Sequence, residues 1–311
     1  MIAARRRVEI CARDLPGAPG APADPAEEVG KARELGFGGV HFPSVTAISA
    51  RYETRELAEF AAFAADRQVS VSLGVGMINA YRLDRAAELL AAGSGDLLRG
   101  FGRTLASAAA LGVHELTAVV GIEADRFDPA IPWPEQLRAT GDLLARLAPA
   151  LRDAGSRLLI KTHEEITTFE IVRLVESVGP DVLGVAFDPV NVVVRLEDPV
   201  AAARRVAPHV RAIHLDDAWL CRTSRGLARR MCPLGRGILD WPRLLPEDSR
   251  LVLDFHRAEL ELPYFDQAWL AAQPDATCVE LAALVANAAA DRAPVSDLGV
   301  RLAAALDALP R

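Results

Sequence analysis

The chain has 311 residues, 51% of them hydrophobic, with a formal net charge of −7 and an isoelectric point near 5.5. That length allows one large domain or two ordinary ones, with ample apolar content for a core. The acidic balance argues against a nucleic-acid surface, which needs clustered Lys and Arg, and no apolar run reaches the ~18 residues that cross a membrane.

The basic start Arg5-Arg6-Arg7 leads into a short apolar run and then Pro16, which is not the pattern of a signal peptide. Cys11, Cys221, Cys232 and Cys278 show no CxxC spacing. They suit a reducing cytoplasm without disulfides, so a cytoplasmic location is expected.

Val8 to Ala12 reads as a first strand, followed by a Pro/Gly/Ala-rich loop from Pro16 to Pro25. Pro25 to Leu35 reads as a helix, with Asp24 as N-cap and Gly36 as its end. Gly38 to Phe42 is a second strand and Arg55 to Arg67 a second helix. Val69 to Val75 alternates as a third strand. Helices follow at Leu83 to Ala92 and Leu97 to Leu111, then a fourth strand at Val113 to Val120 and a long helix from Glu135 to Ala154.

The second half keeps the beat. Strands end at Lys161, Asp188, His214 and Asp254, with helices at Thr168 to Val178, Pro199 to Ala207 and Cys278 to Ala290. Ala218 to Leu239 reads as a long Arg-rich loop, before a short helical piece near Trp241. Val300 to Leu309 adds a last helix. Eight strand–helix units without a linker most simply close into a single-domain (β/α)8 barrel. The barrel is expected over about residues 8–290, with a helical extension over about 291–311. A doubly wound open sheet would show a Gly-rich phosphate turn after a strand, and Gly74-Val-Gly76 is only a fragment of one.

The four late strands share a design. Leu158 to Lys161, Val182 to Asp188, Val210 to His214 and Leu251 to Asp254 are apolar runs that each deliver a polar residue at the C-terminal end. Active sites of such barrels lie at those ends. Residues two apart on a strand share a face, which pairs Lys161 with His163, His214 with Asp216, and Asp254 with His256. Asp188, His214 and Asp254 form an O/N set suited to Mn, Mg, Co or Zn. Only two lysines occur among the 35 basic residues, Lys31 and Lys161, so a lysine on an inward strand face is a notable choice. Each residue also has a structural reading: Asp188 as a turn former before Pro189, His214 as a bonded core histidine, Asp254 as an arginine's partner.

Leu158 to Leu284 resembles the sugar phosphate isomerase/epimerase group of xylose-isomerase-like barrels. The resemblance rests on Gly184-Val-Ala-Phe-Asp188-Pro-Val-Asn191, on Val210-Arg-Ala-Ile-His214-Leu-Asp216, on Pro233-Leu-Gly-Arg-Gly-Ile-Leu-Asp240 and on Leu251-Val-Leu-Asp254. It implies one divalent metal held by Glu, Asp, His and Glu; the matching positions here are Lys161, Asp188, His214 and Asp254. Lys161 departs from that pattern, because a protonated lysine has no lone pair to donate. Three outcomes are open. His163 (or Glu164, expected to point away) supplies the missing ligand; or Lys161 supplies the positive charge itself; or Lys161 acts as base or Schiff-base nucleophile.

The resemblance implies proton transfer beside a carbonyl, through an enediolate, on a sugar, keto-sugar or cyclitol. Lys161, His163, Asp254 and His256 are the expected catalytic groups. Asn191 and Asp216 are expected to hold substrate hydroxyls, and Arg225, within the Arg-rich loop, a phosphate or carboxylate. His41 and Glu123 are placed at the mouth. A lyase or dehydratase, and a non-catalytic carbohydrate-binding protein with a disabled metal site, are the alternatives. The expected partner is a small carbohydrate-like molecule, with no nucleic acid and no membrane, and the reading is compatible with a homo-oligomer.

Overall fold

The computed structural model describes residues 5–17, 24–246, 249–290 and 292–309. The chain runs β1 (Val8–Cys11), β2 (Gly39–Phe42), β3 (Ser70–Met77), β4 (Glu115–Val119), β5 (Arg157–Lys161), β6 (Leu183–Phe187) and β7 (Val210–Leu215). It continues through β8 (Asp217–Thr223), β9 (Gly226–Cys232), β10 (Arg250–Leu253) and β11 (Leu260–Leu262). Eight of these close into a barrel in the order β1-β10-β7-β6-β5-β4-β3-β2, all pairs parallel. The fold is the (β/α)8 barrel that the alternation predicts. Strands covered on both faces read as continuous apolar runs, and β1, β2 and β6 are buried at every position.

Local signals set the helix ends. Asp24 accepts from the Ala26 N–H at the start of the helix Pro25–Leu35, and Gly36 closes it with φ 87°. The helix Thr168–Val178 opens on a capping box: Thr167 Oγ1 accepts from the Glu170 N–H at 3.1 Å, and Glu170 returns a carboxylate to the Thr167 N–H at 2.8 Å. Residues 18–23 of the Pro-rich loop, and 291, 310 and 311 of the expected extension, lie outside the described residues. The helix Leu298–Ala308 is more than an appendage, because its Arg301 is buried beneath the strand ends. No described helix is long and apolar enough to cross a membrane.

Ala218 to Leu239 is not one long loop. β8 and β9 pair antiparallel across it and β11 joins β9, making a three-stranded sheet separate from the barrel. Leu220, Leu227 and Leu262 pack with Val193 and Leu284 into a separate small core. The arginines masked this in the sequence, because a long arginine stem covers apolar surface as well as carrying charge. The Gly235-Arg236-Gly237 turn then wraps Asp217. Gly235 donates its N–H to Asp217 Oδ2 at 3.0 Å, and a Cβ on Gly237 would stand 1.9 Å from Oδ1.

Candidate active site

β5, β6, β7 and β10 bring Lys161, Asp188, His214 and Asp254 to one point at the C-terminal end of the barrel. All four are buried. Lys161 Nζ donates to Asp254 Oδ2 at 2.6 Å and stands 2.9 Å from Asp188 Oδ2. His214 Nδ1 lies 2.9 Å from Asp254 Oδ2. Arg13, just beyond β1, bonds the other oxygen of Asp254. The cluster opens into a cleft of about 400 Å³, lined among others by Arg13, His41, Lys161, His163, His214 and Asp254.

The charges fix one another. Burial alone would lower the Lys161 pKa, but Asp254 and Asp188 outweigh it and hold the ammonium protonated. Burial would raise both carboxyls. The imidazolium of His256 and then Lys161 hold Asp188 below the usual range, while Lys161 and His214 do so for Asp254. His256 bonds Asp188 Oδ2 and Asp216 Oδ2, each at 3.0 Å, and these carboxylates overcome its burial and raise it to about 9. Burial and then Lys161 lower His214, which is therefore neutral.

The other expected residues divide. His163 lines the cleft, and its Nδ1 meets Glu165 Oε2 at 2.7 Å. Glu165 is fully buried, with Oε1 accepting from the Gly121 N–H at 2.8 Å. Glu164 also lines the cleft rather than pointing away, because β5 ends at Lys161 and strand alternation ends with it. Asn191 and Asp216 are fully buried and stay off the cleft lining. Asn191 Nδ2 donates to Asp188 Oδ2 at 3.1 Å, and Arg229 donates to Asn191 Oδ1 at 2.6 Å. Asp216 holds His256 and the guanidinium of Arg301. Both residues bond ionised neighbours.

Arg225 does not join the cluster. It sits exposed at the β8–β9 turn, 3.9 Å from Asp266, away from the cleft lining. The hairpin carries it outward, so it has no place beside the cluster. Glu123 is likewise off the lining and pairs with the buried Arg195 at 2.8 Å, whereas His41 does line the cleft. Arg13, Glu165 and Arg301 escaped the sequence reading, and Arg229 was read only as one arginine of the Arg-rich stretch. For Arg13 a signal existed: the strand-end rule applied to β1 points to it. Arg301 gave none, since it crosses from another element.

Asp188, His214 and Asp254 offer ligand atoms within 4.8 Å of one another, which is metal-like spacing. A second such group, Cys11 with Asp14 and Asp254, is committed elsewhere. Burial, then Asp254 and Asp14, push the Cys11 thiol well up, and Asp14 holds the Phe255 N–H at 2.9 Å and Arg257 at 2.9 Å. In the first group the Lys161 ammonium already sits on both carboxylates. A divalent ion there would face a buried cation at salt-bridge distance, and His163 belongs to neither group. The donor set with Lys161 protonated does not fit a divalent metal.

A closed parallel barrel with ionic chemistry at the C-terminal strand ends defines the class. The sequence profile of the xylose isomerase-like TIM barrel matches residues 29–247, and the chain belongs to that family. The uncharacterized protein YihM of Escherichia coli (strain K12) is 29% identical over 131 residues, 40% of each chain. The 3-oxo-isoapionate decarboxylase of Pectobacterium atrosepticum is 29% identical over 120 residues, 38% of this chain and 43% of the relative. The chain thus matches about two fifths of the length of these curated relatives. A D-allulose 3-epimerase from Methylomonas sp. superposes over 98% of both chains with a TM-score of 0.60 at 14% identity, a likeness of fold.

Proposed function

We propose that this protein is an isomerase or epimerase of polyhydroxylated carbonyl compounds, such as a sugar, keto-sugar or cyclitol. It moves a proton through an enediolate, with the Lys161 ammonium in the role of the family's divalent cation. The observation that carries the reading is Lys161 Nζ lying 2.6 Å from Asp254 and 2.9 Å from Asp188 at the floor of the cleft. An ammonium has three N–H donors. Two serve these carboxylates, and the third is left for a substrate carbonyl oxygen.

Proton removal beside that carbonyl sends the electron pair to oxygen, where the fixed positive charge stabilises it. His163 is the base. With Nδ1–H held by the buried Glu165, Nε2 keeps its lone pair for the cleft, and Glu165 stabilises the imidazolium that forms. Return of the proton to the neighbouring carbon gives an isomer; return to the opposite face needs a second donor. The solved D-allulose 3-epimerase supports this reading through shared fold. The decarboxylase relative supports a second one, a lyase, in which the same ammonium holds the enolate left when a group departs.

Metal content tests the proposal. Wild-type protein should hold well under one equivalent after Mn loading, and Lys161→Glu should gain about one. Deuterium exchange into a panel of keto-sugars should survive chelator in the wild type. One firmly bound equivalent in the wild type would overturn the proposal.

A further inference from the structure

The two ends of the cleft carry opposite charge. Arg13 and Arg257 line it beyond β1 and β10, which are neighbours in the barrel. Glu164 lines it beyond β5, four strands round from β1. Arg13 is the more available of the two cations. Its side chain is 55% exposed, and its bond to Asp254 uses one terminal nitrogen. Arg257 is tied to Asp14 Oδ1 and to the Arg13 and Phe255 carbonyl oxygens, which braces that wall.

Asp254 also sets a spacing. Its Oδ1 takes Arg13 and its Oδ2 takes Lys161, so the guanidinium and the ammonium stand one carboxylate apart. Their unused N–H groups can address a second pair of oxygens of similar separation. A carbonyl oxygen and the carboxylate on the adjacent carbon form such a pair. A neutral ketose offers only a hydroxymethyl group there, and a phosphate at the far end of a sugar chain falls towards Glu164.

We propose that the substrate is a polyhydroxylated keto acid, its carbonyl oxygen on Lys161 and its adjacent carboxylate on Arg13. This rests on the Lys161 reading above and narrows it to acids. Arg13 is thereby a specificity-determining residue. The hydroxylated tail extends across the mouth towards His163 and Glu164, where a second anion is disfavoured.

Calorimetric titration with three probes tests it: 2-keto-D-gluconate, D-fructose and D-fructose 6-phosphate. The keto acid should bind the wild type about tenfold or more tightly than fructose, because a charge-assisted guanidinium–carboxylate contact is made by the acid alone. Arg13→Gln should collapse that ratio to within about twofold, and Arg13→Lys should keep part of it. Thermal melts confirm that the variants fold. A ratio near one in the wild type overturns the proposal. So does a ratio that survives Arg13→Gln, an equal gain by fructose 6-phosphate, or no binding of the keto acid. These are binding readouts, whereas the Lys161 reading is tested by metal content and exchange, so the two fail separately.

Discussion

At the N-terminal end of the barrel, Arg250 stands 3.9 Å from both Glu9 and Glu115, and Arg157 stands 3.5 Å from Glu115. At the other end Lys161 meets Asp254 and Asp188 at 2.6 and 2.9 Å. The lower ions, apart from Glu9, keep 21 to 29% of their side chains exposed, and the upper ones at most 8%. Water screens the lower pairs, so loose geometry suffices. The upper charges are dry, so each must be met closely or cost several kcal/mol. Both layers leave atoms without protein partners. Below they are nitrogen donors of Arg157 and Arg250; above they include the Nε donors of Arg229 and Arg301 and the acceptors Asp188 Oδ1 and His214 Nε2. Of these two layers, the upper alone has unmet acceptors in a dry cluster beside a cleft.

Three measurements would break or sharpen that contrast. The largest effect belongs to Lys161→Met. It leaves Asp188 and Asp254 buried without their shared cation, and urea unfolding at neutral pH should show a loss of about 3–5 kcal/mol. Part of that loss should return below about pH 5, as one carboxyl takes up a proton. A loss under about 1 kcal/mol would mean that the upper layer is as slack as the lower.

Next comes pH. His256 is raised to about 9 in the folded chain, against roughly 6.5 when unfolded. The folded state therefore holds this proton more tightly. The stabilisation is complete below about pH 6.5 and is lost as pH rises through 9, amounting to about 3 kcal/mol. Unfolding free energies across that range should slope downward, and His256→Gln should flatten the slope. An unchanged slope would sink the assignment.

The smallest effect is expected from Glu9→Gln in the lower layer. Burial raises the Glu9 pKa, against the opposing pull of Arg250 and the hydroxyls of Ser72 and Ser70. A neutral amide of the same shape should change stability by about 0.5 kcal/mol or less. A cost as large as that of Lys161→Met would erase the distinction between the layers.

Much of the barrel was legible because its signals are local. Asp24, Gly36 and the Thr167–Glu170 box cap their helices by contacts within a few residues. The late strands announce themselves as apolar runs ending in a polar residue. The β8–β9 hairpin was not legible, since its strands are stabilised by Leu262 and Leu284 from distant segments. The same limit explains the site. Lys161, Asp188, His214 and Asp254 could be listed from strand ends, while Arg225 was drawn in by the charge of a stretch whose geometry the sequence conceals.

The sequence by itself determined which residues could carry the chemistry, because strand period and strand-end position are properties of neighbouring residues. It also placed a lysine, one of only two in the chain, at the end of β5. Only the tertiary structure decided what that lysine does. Its ammonium is held by two carboxylates from β6 and β10, residues 27 and 93 positions further along the chain. Arg13 joins them from beyond β1, and Glu165 turns His163 to face the cleft. Protonation, pairing and orientation depend on which charges meet in the dry interior, and that is set by barrel closure rather than by any local stretch.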